Sequence, residues 1–251
     1  MVNILIHGAL GRMGVKVFET CLSDDGVKAV CGVDRFLNLD NKDFPVYDGF
    51  GKVTEKVDVV IDFSSPVTLG SVLDFAKTTG AKLVLCTTGY SDEDIKTIND
   101  ASKEIAIFRS ANMSLGVNVL IDLVKKAARS LMGFDIEIVE KHHNQKVDAP
   151  SGTALMLADA VKDELPEKVY TYGREGKVGK RDQKEIGIHA VRGGNIVGDH
   201  DVIFAGQNET VTLSHQAFDR SVFAVGAVKA AKYIATKTNG LYDMQKLVSE
   251  S

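Results

Sequence analysis

The chain has 251 residues, of which 44% are hydrophobic and 25% are charged, and its net charge is −4. This length predicts one large or two modest domains, and the composition is that of a soluble globular protein. The negative charge disfavours nucleic acid or an anionic membrane as a partner, and no apolar run is long enough to span a membrane.

A strand, a glycine-rich turn and a helix are predicted at the start of the chain. Val2 to His7 is an apolar run typical of a buried parallel strand, and Val15 to Ser23 is predicted to be helical. The turn between them, Gly8 to Gly14, spaces its glycines as GxxGxxG. Such a turn lets the backbone approach a pyrophosphate at a helix N-terminus, although a plain turn stays the alternative. The residues predicted to lie on one face of this helix are Val15, Phe18 and Leu22.

The second predicted strand, Lys28 to Val33, ends in Asp34 and Arg35. An acidic residue about 20 positions past a glycine turn is placed to bind the ribose diol of a dinucleotide. Arg35, together with Arg12 in the turn, is suited to a 2′-phosphate instead. The pair predicts that NADH and NADPH are both accepted, with a solvated charged turn as the alternative.

Strands and helices continue to alternate through the first half of the chain. Further strands are predicted over 58–63, 82–86 and 105–108, with a helix over 66–79 and another that begins near Ser91. This alternation indicates an α/β fold with a Rossmann-like doubly wound parallel sheet, which binds ligands beyond the C-terminal ends of its strands. The residues at those ends are Gly8, Asp34, Phe63, Thr87 and Asn112.

The second half predicts an α+β domain carrying a mainly antiparallel sheet. Phe134 to Glu140 alternates apolar and acidic residues, which is typical of a half-exposed strand. Three further strands, joined by Gly- and Asn-containing turns, are expected to be antiparallel. A final Ala-rich helix is apolar enough to pack against the first domain. The ranges are 117–131, 154–164 and 221–236 for helices, 185–192, 198–205 and 209–215 for the three strands, and 172–181 for an exposed loop. The stripe expected on the first of these helices is Leu120, Leu123, Val124 and Ala127.

The segment Glu140 to Leu155, EKHHNQKVDAPSGTAL, concentrates proton-transferring and cationic groups. His142 and His143 titrate near neutral pH, and Lys146 adds a positive charge and a proton source. The Pro-Ser-Gly-Thr step at 150–153 is typical of a helix start, which offers backbone N–H groups to an anion. The segment predicts a site for a small anionic substrate, with a non-catalytic basic loop as the alternative.

No metal site is predicted, because no HxxxH or Cys/His pair is present. The other histidines are scattered at His7, His189, His200 and His215. The cysteines have no ligand spacing and are expected to be buried, reduced thiols of a cytoplasmic protein; they are Cys21, Cys31 and Cys86. The first residues lack the basic region and cleavage site of a secretory signal.

These residues resemble the dihydrodipicolinate reductase family of bacterial and plant lysine biosynthesis. The segment 140–153 is the most specific part of the resemblance, which covers nearly the whole chain. The other matching motifs lie at 8–14, 61–64, 87–90, 110–118, 194–200 and 240–244.

The resemblance implies NAD(P)H-dependent reduction of 4-hydroxy-tetrahydrodipicolinate, a dicarboxylate, to tetrahydrodipicolinate with loss of water. It also implies a homotetramer built through the sheets of the second domain. By motif position, His142 matches the proton donor or acceptor of the family and Lys146 its proton donor. The implied substrate contacts are His143, Ser151, Gly152 and Thr153. The implied cofactor contacts are Gly8, Ala9, Leu10, Gly11, Arg12, Met13, Asp34, Arg35, Cys86, Thr87, Thr88, Ser110, Ala111, Asn112, Met113 and Lys229.

Three positions depart from the pattern of the family. Cys86 stands where a glycine is common, Met113 replaces a frequent phenylalanine, and Lys229 stands where some members have an arginine. A lysine keeps the charge but loses the planar fork of an arginine. We predict a dinucleotide-binding domain at 1–113 and 224–251, and a substrate-binding and oligomerisation domain at 114–223.

Two other functions stay open from the sequence. Another NAD(P)-dependent dehydrogenase of an aspartate-derived acid should lack the His-His, Lys and Ser-Gly-Thr grouping. A regulator that binds NAD(P)H without turnover would be expected to lose His142 or Lys146, and both are present.

Overall fold

The structure is a computed structural model that describes residues 1–35 and 44–250. The chain divides into two compact units. The first unit comprises Met1–Leu115 with Arg220–Ser251, and the second comprises Gly116–Asp219. The binding roles predicted for the two parts of the chain stay predictions.

The described residues form strands β1 to β12 and helices α1 to α7, with short 3-10 helices at Phe50–Lys52 and Pro66–Thr68. The strands are β1 Val2–His7, β2 Val27–Val33, β3 Val46–Tyr47, β4 Val59–Asp62, β5 Lys82–Leu85, β6 Ala106–Arg109, β7 Asp135–His142, β8 Val169–Tyr172, β9 Glu185–Arg192, β10 Gly198–Ala205, β11 Thr210–Ala217 and β12 Gly240–Tyr242. The helices are α1 Arg12–Leu22, α2 Leu69–Thr79, α3 Asp92–Ala101, α4 Leu115–Ser130, α5 Gly152–Glu164, α6 Ser221–Ile234 and α7 Met244–Ser249.

The first unit contains a parallel sheet with helices on both faces. Its strand order is β12-β6-β5-β4-β1-β2-β3, and each neighbouring pair is parallel. Residues of α1, α6 and α7 pack on one face, and residues of α2 and α3 pack on the other. Strands covered on both faces have continuous apolar runs, as in β1 and β4. The predicted Rossmann-like, doubly wound sheet is confirmed, as is the packing of α6 within this unit.

Of the three residues predicted to share one face of α1, Phe18 packs against the core. Val15 is 43% exposed and Leu22 is 73% exposed, whereas Gly14, Val17 and Cys21 are buried. The helix begins at Arg12, earlier than predicted, and Gly14 packs directly against the preceding turn. That close contact rotates the buried stripe to positions 14, 17 and 21, which follow the helical period.

The second unit contains a mixed sheet in the order β11-β10-β7-β9-β8. β10 is antiparallel to β11 and to β7, whereas β9 is parallel to β7 and to β8. The expected antiparallel pairing is confirmed for β10 and β11. Strand β9 does not pair with β10, because β7 lies between them. Long-range pairing of this kind leaves no mark on local turn signals, and β8 was not predicted at all.

Helices α4 and α5 contribute to a core with β7, β9 and β10. The buried stripe of α4 includes Leu120, Val124 and Ala128, whereas Leu123, predicted to lie on the same stripe as Leu120 and Val124, is exposed. The three cysteines are buried and free, as expected. Among the described residues, no helix has the length and apolar character needed to cross a membrane.

Candidate functional site

In the second unit, strand β7 carries polar side chains into the protein interior. Its residues alternate between half-buried and buried, so that Ile136, Ile138, Glu140 and His142 face inward. The alternating pattern predicts a half-exposed strand, yet the side chain of Glu140 is 0% exposed. A buried carboxylate requires charged or hydrogen-bonding partners.

Glu140 has such a partner at each oxygen. Arg192, at the end of the neighbouring strand β9, donates from Nη1 to Oε2 and from Nη2 to Oε1, each over 2.7 Å. His142 Nδ1 lies 2.6 Å from Oε2, and the backbone N–H of Ser151 donates to Oε1 over 2.9 Å. Burial raises the pKa of Glu140, but the hydrogen bonds from Arg192, His142 and Ser151 outweigh it and hold that pKa below its usual value. Glu140 is therefore a carboxylate at neutral pH.

The carboxylate of Glu140 fixes the tautomer of His142. An ionised carboxylate only accepts hydrogen bonds, so His142 Nδ1 carries a hydrogen toward it. Nε2 is then the bare nitrogen of the neutral ring, and a carboxylate held against Nδ1 would stabilise an imidazolium. This is the arrangement in which a histidine acts as a general acid or base.

The start of helix α5 lies against the same carboxylate. Ser151 is the N-cap residue, and its Oγ accepts a hydrogen bond from the backbone N–H of Ala154 over 3.1 Å. A side chain added at Gly152 would meet no atom within 4 Å, so there is open space beside this helix start. Backbone N–H groups and a hydroxyl at a helix N-terminus favour an anionic group.

Lys146 and His143 lie just beyond the end of β7. Lys146 Nζ is 2.8 Å from Asp148 Oδ1, and the two side chains are 20% and 54% exposed. A pair this exposed contributes about 0–1 kcal/mol, so Lys146 can exchange Asp148 for an anionic ligand at small cost. The backbone carbonyl of Asp148 accepts from Arg192, which links this loop to Glu140. His143 is half-buried, and its carbonyl accepts from the N–H of Lys146.

Three residues of this cluster were not predicted as site residues: Glu140, Arg192 and His200. The alternation of β7 does indicate that Glu140 is buried, since it lies on the same face of the strand as Ile136 and Ile138. His200, counted among the scattered histidines, lies with its ring centroid 5.2 Å from that of His142. Arg192 and His200 reach the site through pairing of β7 with β9 and β10, which the sequence does not encode locally. Within residues 1–35 and 44–250, no group of three or more His, Cys, Asp or Glu side chains is suited to a metal ion.

In the first unit, the glycine turn makes two close backbone approaches. Gly8 has φ +78°, and a Cβ there would lie 2.6 Å from the carbonyl oxygen of Phe63. A Cβ at Gly14 would lie 2.2 Å from the carbonyl oxygen of Gly8. Gly11 is the N-cap residue of helix α1, and no side chain caps this N-terminus. The turn and the uncapped helix start form a cradle that suits a phosphate group.

A cleft of about 210 Å³ lies beside this turn and is lined by Gly8, Gly11, Asp34, Arg35 and Phe63, among others. Asp34 Oδ2 accepts the backbone N–H of Leu10 over 3.0 Å, which joins the end of β2 to the turn. The residues present therefore fit the phosphate and ribose of a nicotinamide dinucleotide.

Of the other residues predicted to contact the cofactor, some are buried in this unit and others are exposed. The hydroxyl of Thr87 donates to the buried carboxylate of Asp62 over 2.8 Å, and Asp62 also accepts from the N–H of Ser64. Cys86 is buried, and burial raises the pKa of its thiol well above the usual value, so that side chain belongs to the core. Met113 is also in the core, whereas Thr88, Ala111 and Lys229 are exposed. The roles of these residues stay predictions.

We expect Gly14→Ala to weaken both the fold and NAD(P)H binding. The added methyl group would overlap backbone atoms, which cannot move as a flexible side chain can, and overpacking of this kind costs about 1–3 kcal/mol. Denaturant unfolding and fluorescence titration of NADH measure the two effects. Gly70→Ala is the matched control, because nothing lies within 4 Å of a Cβ at that helical position. Equal stability of the two variants would contradict the close packing of the turn.

The chain is similar to known proteins over its full length. The family described as "Dihydrodipicolinate reductase, N-terminus" matches residues 2–113, and "Dihydrodipicolinate reductase, C-terminus" matches residues 116–248. A 4-hydroxy-tetrahydrodipicolinate reductase of Caldanaerobacter subterraneus subsp. tengcongensis is 55% identical over 100% of this chain and 99% of the relative. Its namesake in Clostridium tetani is 49% identical over 99% of this chain and 98% of the relative.

Solved structures share the fold. A dipicolinate-bound dihydrodipicolinate reductase from Paenisporosarcina sp. TG-14 has a TM-score of 0.83 and 24% identity, over 98% of this chain and 99% of that one. A probable dehydrogenase from Thermotoga maritima has a TM-score of 0.61 and 11% identity, over 99% of this chain and 93% of that one.

Proposed function

The chain belongs to the dihydrodipicolinate reductase family, and we propose that it reduces 4-hydroxy-tetrahydrodipicolinate to tetrahydrodipicolinate with NAD(P)H, with loss of water. This is the activity named for relatives that are 55% and 49% identical over the full chain. The observation that carries the proposal is the cluster around Glu140. One buried carboxylate holds both a histidine suited to proton transfer and the start of a helix suited to an anion.

The substrate is a ring with two carboxylates, and the second unit offers groups that match them. We assign substrate binding to His143, Ser151, Gly152 and Thr153. The hydroxyl of Ser151 and the backbone N–H groups at the start of α5 donate hydrogen bonds, which are strongest when the acceptor is charged. The related structure from Paenisporosarcina holds dipicolinate, a ring with two carboxylates.

The nicotinamide nucleotide supplies the hydride when it is bound. Its phosphates suit the turn from Gly8 to Met13, and its ribose suits Asp34 and Arg35, which line the cleft beside that turn. We also assign cofactor contacts to Cys86, Thr87, Thr88, Lys229 and the segment 110–113. Thr87 is held in place by Asp62, whereas Cys86 contributes only its backbone, because its thiol lies in the core.

The remaining chemistry is proton handling, which we assign to His142 and Lys146. Loss of the ring hydroxyl as water requires a proton at that oxygen. His142 exchanges its proton at Nε2 while Glu140 holds Nδ1, so the ring stays in one orientation. Elimination of this water also takes a proton from a neighbouring ring carbon. Lys146 returns a proton to the ring when the hydride adds, so the net uptake is one hydride and one proton. Its positive charge also attracts the dianionic substrate.

We propose that the protein is a cytoplasmic homotetramer assembled through the sheet of the second unit. Strand β11 is at one edge of this sheet, and none of its residues is buried. Phe218, directly after it, is 86% exposed. Open edges and exposed aromatic side chains favour association with another chain. Light scattering coupled to gel filtration tests the mass, and a monomer would contradict this assembly.

The experiment that tests the function couples the protein to a dihydrodipicolinate synthase and follows the absorbance of NADH or NADPH. We expect oxidation that depends on the synthase product. A different dehydrogenase would oxidise neither cofactor with this product, and a dinucleotide-binding regulator would bind both cofactors without turnover. Either result would refute the proposed reaction.

Cofactor preference gives a further prediction. We expect Arg35→Ala to weaken NADPH binding by about 10-fold with a small effect on NADH, because a hydrogen bond to a charged group is lost only for the 2′-phosphate. Asp34→Asn should weaken NADH more than NADPH, and it keeps an oxygen acceptor for the N–H of Leu10. Each variant is titrated with both NADH and NADPH, so that the nucleotide expected to be less affected is the control. Equal changes for both nucleotides would remove these residues from the choice of cofactor.

A further inference from the structure

His200 lies at the centre of the second unit's cluster without an assigned role. It is on β10 directly opposite Glu140 of β7 in the antiparallel register, and it is 4% exposed. Its Nε2 is 3.0 Å from the Oγ of Ser151, the residue that we assign to substrate binding. Its ring meets that of His142 edge to face. A buried polar ring in this position needs an explanation beyond packing.

The hydroxyl of Ser151 has a limited capacity for hydrogen bonds. An alcohol oxygen has one hydrogen to donate and two lone pairs that accept. One lone pair already accepts the backbone N–H of Ala154. Whether the hydroxyl hydrogen is available to a ligand therefore depends on which partner donates in the bond between Ser151 and His200.

The surroundings keep the His200 ring neutral at physiological pH. Burial, and then the electrostatic effect of the neighbouring His142 ring, lower its pKa to about 4. His215 and Lys146 act in the same direction, and Glu140 acts in the opposite one. A neutral imidazole has one N–H donor and one bare nitrogen acceptor, so the two ring nitrogens play different roles.

The surroundings of Nδ1, the other ring nitrogen of His200, indicate which of the two tautomers is present. Nδ1 of His200 is buried and has no hydrogen-bond partner among the described residues. If Nδ1 carried the hydrogen, a buried N–H donor would be left unsatisfied, which is rarer in folded proteins than an unsatisfied acceptor. With the hydrogen on Nε2, only a bare nitrogen is left without a partner, and the N–H donates to Ser151.

We propose that His200 is a positioning residue, which donates from Nε2 to Ser151 Oγ and so leaves the Ser151 hydroxyl hydrogen for a substrate carboxylate. Both lone pairs of Oγ are then occupied, one by Ala154 N–H and one by His200 N–H. Ser151 can only donate to a ligand, which favours an anion over a neutral group that must itself donate. This proposal rests on the proposed function, because it takes the ligand at Ser151 to be the dicarboxylate substrate.

A double-mutant cycle tests the proposal, with the substrate KM and the Kd of dipicolinate as readouts. We expect His200→Leu to raise both by about 10-fold while kcat changes little, because a hydrogen bond to a charged group is weakened. His200→Gln, whose amide N–H can take the place of Nε2–H, should restore most of the affinity. In a Ser151→Ala background, His200→Leu should have no further effect. Equal effects of His200→Leu in both backgrounds, or an unchanged KM, would overturn the proposal.

A second measurement needs no substitution and covers the case in which His200→Leu does not fold. NMR of the wild-type protein with isotope-labelled histidine nitrogens reports which nitrogen of each ring carries the hydrogen. We expect a neutral His200 with its hydrogen on Nε2, and the opposite tautomer would overturn the proposal. Failure of the proposed function looks different, since the wild-type protein would then show no turnover with the synthase product whatever the tautomer of His200.

Discussion

Replacement of Glu140 by glutamine is expected to lower kcat by about 100-fold or more while the protein still folds. The amide keeps the shape of the side chain but cannot stabilise an imidazolium at His142. Its NH₂ group can also turn toward Nδ1, which would favour the wrong tautomer. Steady-state kinetics across pH measures the effect. The Kd of NADH should stay close to the wild-type value, because we assign nucleotide binding to the first unit. An unchanged kcat would show that His142 does not need the carboxylate.

Replacement of Glu140 by alanine tests the structural part of the same cluster. It leaves the guanidinium of Arg192 without its carboxylate, and breaking a buried ion pair from one side costs about 3–5 kcal/mol. Denaturant unfolding measures the loss. Glu209→Ala is the control, since Glu209 is exposed and such surface changes usually lie within about 0.5 kcal/mol. Similar losses from the two substitutions would contradict the buried network.

The same network determines how the free energy of unfolding changes with pH. In the folded protein the pKa of Glu140 is below its usual value. Its contribution to the free energy of unfolding is therefore fully present at pH values above the ordinary carboxyl pKa. That contribution is lost as the pH falls through the lowered pKa. The unfolding free energy of Glu140→Gln should therefore fall less steeply with acid than that of the wild-type protein.

Replacement of Lys146 by alanine is the second large effect that we expect. It removes the group that we propose as a proton donor and should lower kcat by about 100-fold to 10,000-fold. The Kd of NAD(P)H should change little, because Lys146 is in the second unit and the glycine turn is in the first. Coupled kinetics and fluorescence titration separate the two effects. Lys180→Ala, in the exposed loop after β8, is the charge-matched control. A kcat equal to that of the control would remove Lys146 from proton transfer.

The parts of the fold that local pattern determines were predictable. The apolar runs of β1 and β4, the glycine turn after β1 and the Pro-Ser-Gly-Thr start of α5 each report a local requirement: burial on both faces, close backbone approach or capping. The face of α1 was not predictable in this way. Its buried stripe follows from the contact of Gly14 with the turn, and a count of apolar residues at helical spacing does not include a glycine.

The predicted site contained the residues of one segment and missed those that other strands bring to it. His142, Lys146 and Ser151 lie within twelve positions in the sequence, so their grouping is visible there. Arg192 and His200 reach Glu140 only because β9 and β10 flank β7 on its two sides. That order depends on the packing of the whole sheet. An isolated histidine or arginine carries no sign of the strand that it will lie beside.

The most direct test of the proposed reaction measures tetrahydrodipicolinate formed against NAD(P)H consumed, with mass spectrometry for the product and absorbance for the cofactor. We expect the wild-type protein to form one product molecule for each NAD(P)H oxidised. A protein with both His142→Asn and Lys146→Ala should bind the cofactor but form almost no product. Cofactor oxidation without product, or product formation by the double variant at the wild-type rate, would contradict the assignment of the reaction to this cluster.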